Sequence, residues 1–321
     1  MAGAIFIVGF RLAVMLLGIA VTAYIARLTD PQSFGQYSLL MALFSILTIP
    51  LQHSMPTYIV KTCSGEKKGI GKIENELGVI LFFYLVSFLC AGIIVSIIAL
   101  LYDYTWLFVM VFLVAYIAVG LNVGIRGGLA TAFFKPIMGS PIETFFRNVF
   151  FFLIAFLFLG KASDHEYIFL LYTMSAMLSL VTCFLVSKRL LKGIKISYIK
   201  IRKPTRTDCK LFFTFALLGG IFVVNANLDQ MIIGLLSGSS DVAIYRVAVL
   251  AATAVSFVFS SLSLIAAPYF SSSTSLIAER KGVELARLCF FITLLLFIFY
   301  VGFGQRFIVL AMGGYYKESF I

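Results

Sequence analysis

LGVILFFYLVSFLCAGIIVSIIALL, residues 77–101, runs for 25 residues without one charged side chain. As an α-helix rising 1.5 Å per residue it reaches about 37 Å, longer than the ~30 Å hydrocarbon core of a bilayer. Apolar residues occupy every face of that helix, so no side of it is designed for water. The stretch therefore reads as a membrane span, and the flanking sequence repeats the pattern. Taking about 20 apolar residues as one span, nine segments qualify: 3–26, 37–60, 77–101, 106–125, 142–159, 167–186, 211–236, 242–266 and 285–304. The expected fold is an all-α polytopic membrane protein. The first segment is long enough to span and has no small-residue cleavage site after it, so it reads as a retained helix.

Composition agrees. Of 321 residues, 61% are hydrophobic and 12% charged, the inverse of what a water-covered domain needs. Phe dominates the aromatics, at 34 against 15 Tyr and one Trp, which suits helix packing and lipid contact better than base stacking. Nucleic acid is thus not an expected partner. The five cysteines, Cys63, Cys90, Cys183, Cys209 and Cys289, are scattered without a CxxC pair, and only His53 and His165 exist. No phosphate loop, zinc-protease or nucleophile-elbow motif occurs, so no catalytic centre, metal site or cofactor is expected.

The net charge of +11 is distributed by side of the membrane. Eighteen of the 25 Lys and Arg fall in alternate connections: Lys61 to Lys72, Arg126 with Lys135, the nine from Lys188 to Lys210, and Arg280 to Arg287. The other connections hold only Arg27, Lys161, Arg306 and Lys317. By the positive-inside rule the N-terminus is expected in the cytoplasm. The connections on the opposite side are too short to hold a domain.

The basic run after the sixth span divides the chain. Residues 1–190 are expected to form a six-helix lobe, 191–210 a basic cytoplasmic linker, and 211–321 a second lobe with three helices. An offset of 208 aligns Ile25, Leu28, Thr29 and Tyr37 with Ile233, Leu236, Ser237 and Tyr245, each at the junction of a lobe's first two helices. A same-direction repeat of six helices gives two lobes related by an axis along the membrane normal. On that reading the second lobe is incomplete, and the expectation is a chain truncated near its tenth helix.

Ala26, Arg27 and Leu28, followed by Pro31, Phe34, Gly35 and Tyr37, resemble the first hairpin of bacterial polysaccharide and O-antigen flippases, relatives of the multidrug and toxin extruders (MATE). Asp229, Ile233, Gly234, Asp241, Tyr245, Ala248 and Pro268 resemble the equivalent stretch of that family's second lobe, and Gly313, Gly314 and Tyr316 its approach to a tenth helix. The resemblance implies a MATE-like two-lobe transporter in the bacterial inner membrane. Its ligand would be a polyprenyl-pyrophosphate-linked oligosaccharide, an O-antigen or capsule repeat unit, flipped from the cytoplasmic to the periplasmic leaflet. Membrane lipids, a glycan polymerase and chain-length machinery are the partners it implies. The alternatives are a drug or cation antiporter of the same superfamily, which would want acidic cavity residues, and a membrane glycan polymerase, which would want a sizeable outside loop.

Charges within a span cost roughly 2.5–3.5 kcal/mol each on insertion scales, so each one that is present needs a reason. Arg11, eight residues into the first span, either lines a cavity or snorkels to headgroups. Asp229 is the acid deepest in a span, with Asn225 one turn away on the same face. Counted from Gly238, Asp229 and Arg246 lie at similar depth on two antiparallel helices, so an ion pair is expected, or else a role in proton or sodium coupling or in sugar binding. Asn227, on the other face, is expected to bond between helices. Glu143 and Arg147 are spaced as an intramembrane ion pair, yet Ser140, Pro141 and Glu143 also read as N-cap, N1 and N3 of a helix, the preferred reading of Glu143, and Arg147 is a cavity candidate. The candidate substrate site is therefore Arg11, Arg147, Asn225, Asp229 and Arg246. Arg126, Lys135 and the Lys188–Lys210 run are expected against anionic lipid heads.

Overall fold

A computed structural model describes residues 2–63, 70–133, 139–160, 164–188, 201–250, 252–253 and 275–320. The described residues are helical nearly throughout: α1 (Ala2–Leu28), α2 (Pro31–Leu47), a π-helical turn (Pro50–Ser54) and α3 (Met55–Cys63) come first. After them come α4 (Ile70–Leu101), α5 (Trp106–Val119), a second π-helical stretch (Gly120–Gly127), α6 (Gly128–Ala132), α7 (Ser140–Phe158) and α8 (His165–Ser187). The chain continues with α9 (Arg206–Leu236), α10 (239–250), α11 (Ser275–Met312) and a 3₁₀ segment, Gly314–Phe320.

Among the described residues six helices are long and apolar enough to cross a membrane, and seven if the bent pair α2 and Pro50–Cys63 counts as one span. Seven of the nine expected spans coincide with these. Of the other two, 242–266 lies mostly outside the described residues and 285–304 falls inside α11. Two spans differ in shape from the expectation. The second turns through 51° at TIPLQHSMP, where Pro50 and Pro56 lack the amide protons that an unbroken α-helix would use. The fourth does not end at 125 but runs on through its π-helical stretch to Ala132, which draws Arg126 off the expected loop and into the bundle.

Helix ends are set by short polar side chains. The Asp30 carboxylate accepts from the Ser33 amide at 2.8 Å to start α2, and Thr205 and Asp208 close a reciprocal capping box on α9. Gly139, not Ser140, precedes the first turn of α7 and contributes no side-chain cap, so the expected Ser140–Pro141–Glu143 capping series does not form.

The helices α1 to α8 pack around an aromatic centre. Phe44 meets Phe112 edge-on at 5.1 Å between centroids, Phe112 stacks on Phe169 at 5.6 Å, and Phe169 on Tyr172 at 5.9 Å. Large apolar side chains on the outward faces, among them Leu100, Leu107, Phe156 and Leu236, are exposed as lipid-facing residues should be. The helix α9 lies along α2, with Gly219 against His53 and Gly234 against Leu39. At one end of this seam Gly35 of α2 touches the backbone carbonyl of Ser239, and Phe34 meets Tyr316 edge-on at 6.1 Å. No side chain larger than hydrogen fits at Gly35.

Candidate functional site: a cavity between two arginines

Between α1, α2, α7, α8 and α10 lies a cavity of about 150 Å³. Its polar lining consists of Thr22, Tyr37, Ser38, Asn148, Tyr172, Arg147 and Arg246. Each wall follows from helix phase. Residues four apart share a face, so Gly18 and Thr22 present one strip of α1, and Phe34, Ser38 and Met41 with Tyr37 one strip of α2. Small residues at Gly18 and Ser38 leave the space; Arg147 and Asn148 of α7 and Arg246 of α10 reach into it.

Arg147 is held in place from two sides. Its Nη1 is 3.1 Å from Glu143 Oε1, one turn back on α7, and its guanidinium lies over the Tyr172 ring, 5.4 Å from the centroid. Its Nε is enclosed and has no hydrogen-bond acceptor. Buried donors are nearly always satisfied, so an enclosed arginine with unused N–H capacity beside a cavity is suited to an anion. Arg246 approaches the same space from a helix late in the chain. Both arginines lie within electrostatic range of Tyr37, which shares the lining with them.

Behind Arg147 the polar groups continue into the bundle. Arg126 is 1% exposed and donates to Asn122 Oδ1 at 2.6 Å, Ser187 Oγ at 3.2 Å and the Gly139 carbonyl at 3.0 Å. Asn122 Nδ2 donates to Ser179 Oγ at 3.3 Å, and Ser179 donates to the Glu143 carbonyl at 3.1 Å.

Of the five residues expected at the site, the structure brings two together, Arg147 and Arg246. Arg11 is half-buried on α1 and does not line the cavity, whose α1 wall starts two turns further on at Gly18. Asn225 and Asp229 are exposed on α9 and lie outside it. The expected Asp229–Arg246 pair is replaced: Asp229 accepts from the Tyr245 hydroxyl at 2.9 Å, and Arg246 turns to the cavity. Asn227 donates to its own helix, to the Val223 carbonyl at 2.7 Å, and not between helices. Glu143 is a buried counter-ion, not a cap, and Arg126 is a core residue, not a lipid-head contact. Lys135 and four of the nine basic residues from Lys188 to Lys210 lie outside the described residues; the other five, Lys188, Arg202, Lys203, Arg206 and Lys210, are exposed. Tyr37, Asn148 and Tyr172 were not singled out as site residues by sequence reasoning, although Tyr37 belongs to the first-hairpin motif and Asn148 adjoins Arg147. Among the described residues no cluster of three or more His, Cys, Asp or Glu is arranged to hold a metal ion.

No curated protein matches the chain in sequence. A solved structure described as the inward-facing conformation of a multidrug resistance MATE family transporter of the MOP superfamily superimposes with a TM-score of 0.66. It is 13% identical, over 98% of this chain and 78% of that one, a likeness that shows a shared transporter fold. The polysaccharide biosynthesis protein family matches residues 1–274, most of the chain. With its membrane-spanning helices and MATE-like architecture, the chain belongs to that family.

Proposed function

We propose that this protein is a flippase for a pyrophosphate-linked oligosaccharide lipid, passing the sugar and its anionic linkage from the cytoplasmic leaflet to the outer one while the lipid tail stays in the bilayer. The observation that carries the reading is the convergence of Arg147 and Arg246 on one cavity, the first from α7 and the second from α10. Membership of a polysaccharide biosynthesis family supports a saccharide cargo, and the transporter fold supports movement without covalent chemistry. A cavity lined by two guanidinium groups suits a pyrophosphate diester, which each arginine can grip through two parallel N–H donors. The same lining repels a cationic drug.

In this reading residues 1–190 and 211–321 belong to two lobes joined by the basic segment 191–210, with the N-terminus and that segment in the cytoplasm. A space of about 150 Å³ holds only a few waters or one compact anion, at ~30 Å³ per water. The sugar therefore crosses in states in which the lobes have parted, and the small cavity is where the linkage is gripped. The contacts of Gly35 with Ser239 and of Phe34 with Tyr316 close the end of the seam away from the basic segments.

The test is a leaflet-exchange assay with a fluorescent polyprenyl-pyrophosphate sugar in proteoliposomes. Arg147→Gln and Arg246→Gln are each expected to slow exchange by about tenfold or more, the size of effect seen when one member of a buried charge contact is removed. Wild-type exchange by both variants, at normal protein levels in the vesicles, would refute the proposal.

A further inference from the structure

The cavity has a second arginine layer behind it, and resting on the anion-binding reading above we propose that Glu143 is a counter-ion shared between Arg147 on the cavity side and Arg126 on the buried side. Arg126 is then a positioning residue that lets Arg147 leave Glu143 for an arriving anion. Glu143 is 2% exposed and touches Arg147 directly, and it lies within electrostatic range of Arg126 as well.

The physical need is clear. A guanidinium that turns from a buried carboxylate toward a ligand leaves that carboxylate without its partner, and an uncompensated buried charge is strongly unfavourable. If Arg147 were the sole counter-ion, every kind of anion would have to compete with Glu143 for it. A second fixed cation behind the carboxylate removes most of that penalty. Arg126 is oriented for such a role by three neutral acceptors, Asn122 Oδ1, Ser187 Oγ and the Gly139 carbonyl, which fix its guanidinium. Two of the links lead to α7, directly through Gly139 at its start and through Asn122 and Ser179 at the Glu143 carbonyl. The arginine thus fixes both the charge balance and the position of the turn that carries Glu143 and Arg147. Arg126 sits buried in a π-helical stretch, a form that occurs frequently at functional sites.

A clamp that served only to hold α7 would depend on the three-way fork of hydrogen bonds, whereas a shared counter-ion depends on charge. Binding of a geranyl-pyrophosphate-linked N-acetylglucosamine probe to the full chain in detergent, followed by calorimetry, separates the two. Arg126→Gln is expected to weaken the probe about tenfold, within the range of coupled sites, because Glu143 then holds Arg147 alone. Arg126→Lys, which keeps the charge and loses the fork, is expected to recover most of that loss. Glu143→Gln combined with Arg126→Gln frees Arg147 and is expected to bind at least as tightly as wild type. Removing one buried anion and one buried cation together keeps the net charge of the cluster as in wild type, with Arg147 facing the cavity, so this double variant is the one to measure if Arg126→Gln alone fails to fold. The proposal is overturned if the double variant binds as weakly as Arg147→Gln, or if Arg126→Lys is no better than a folded Arg126→Gln. Failure of the underlying anion reading looks different: Arg147→Gln would then bind the probe as wild type does.

Discussion

Arg147 and Arg246 were legible in the sequence because a charge in an apolar helix demands a reason, but their partners were not. Consecutive helical residues point about 100° apart, so with Tyr245 turned to Asp229, its neighbour Arg246 must face elsewhere, and a count of depth along two helices carries no such phase. Arg126 was hidden differently. Four glycines, at 120, 124, 127 and 128, around a cation look like a loop, and only the continuing helix shows that they let neighbouring helices approach closely. The cap at Asp30 makes a simple prediction at this scale. Burial of its carboxylate disfavours the charge, but hydrogen bonds from the Ser33 amide and hydroxyl, with those from the Asp30 and Gln32 amides, outweigh it and hold its pKa below the ordinary 3.8. The stabilisation is therefore present above that value and disappears as pH falls through the lowered one. Thermal melts in detergent should show Asp30→Ala costing about 1 kcal/mol at neutral pH, with the difference shrinking in strong acid. A constant difference down to strong acid would mean that the carboxylate is not the cap.

At the scale of elements, the positions of seven of the nine expected spans were readable because hydrophobic length is a one-dimensional signal. What the length does not carry is the bend. Pro50 and Pro56 flank the break in the second span, yet its angle of 51° follows from the π-helical turn between them and from how that turn packs on α9. The seam of α2 with α10 depends on one missing side chain. Gly35→Val places methyl groups where the Ser239 carbonyl now sits, an overpacking that costs typically about 1–3 kcal/mol. The expected outcome is a lower melting temperature for the purified variant, together with slower lipid exchange. An unchanged melting temperature would show that the seam yields without cost and is not a closed contact.

For the whole molecule, the alternation of basic and neutral connections suggested orientation, the internal offset of 208 suggested two lobes, and the superposition on a MATE transporter supplies the architecture. The orientation has a direct check in sealed right-side-out vesicles, using a chain whose five cysteines are replaced by serine. A membrane-impermeant thiol reagent should reach Ser237→Cys, at the far end of α9, and should not reach Lys203→Cys, beside its start, until the vesicles are broken. The reverse pattern would invert the topology and with it the direction of transport proposed above. The chain also carries its own optical label. Its one tryptophan, Trp106, stands 64% exposed at the first residue of α5, where a span meets the membrane boundary. All indole emission from these 321 residues thus comes from a single address, and quenching by lipids brominated at known depths would measure, without any mutation, how deep in the bilayer that end of the bundle rests.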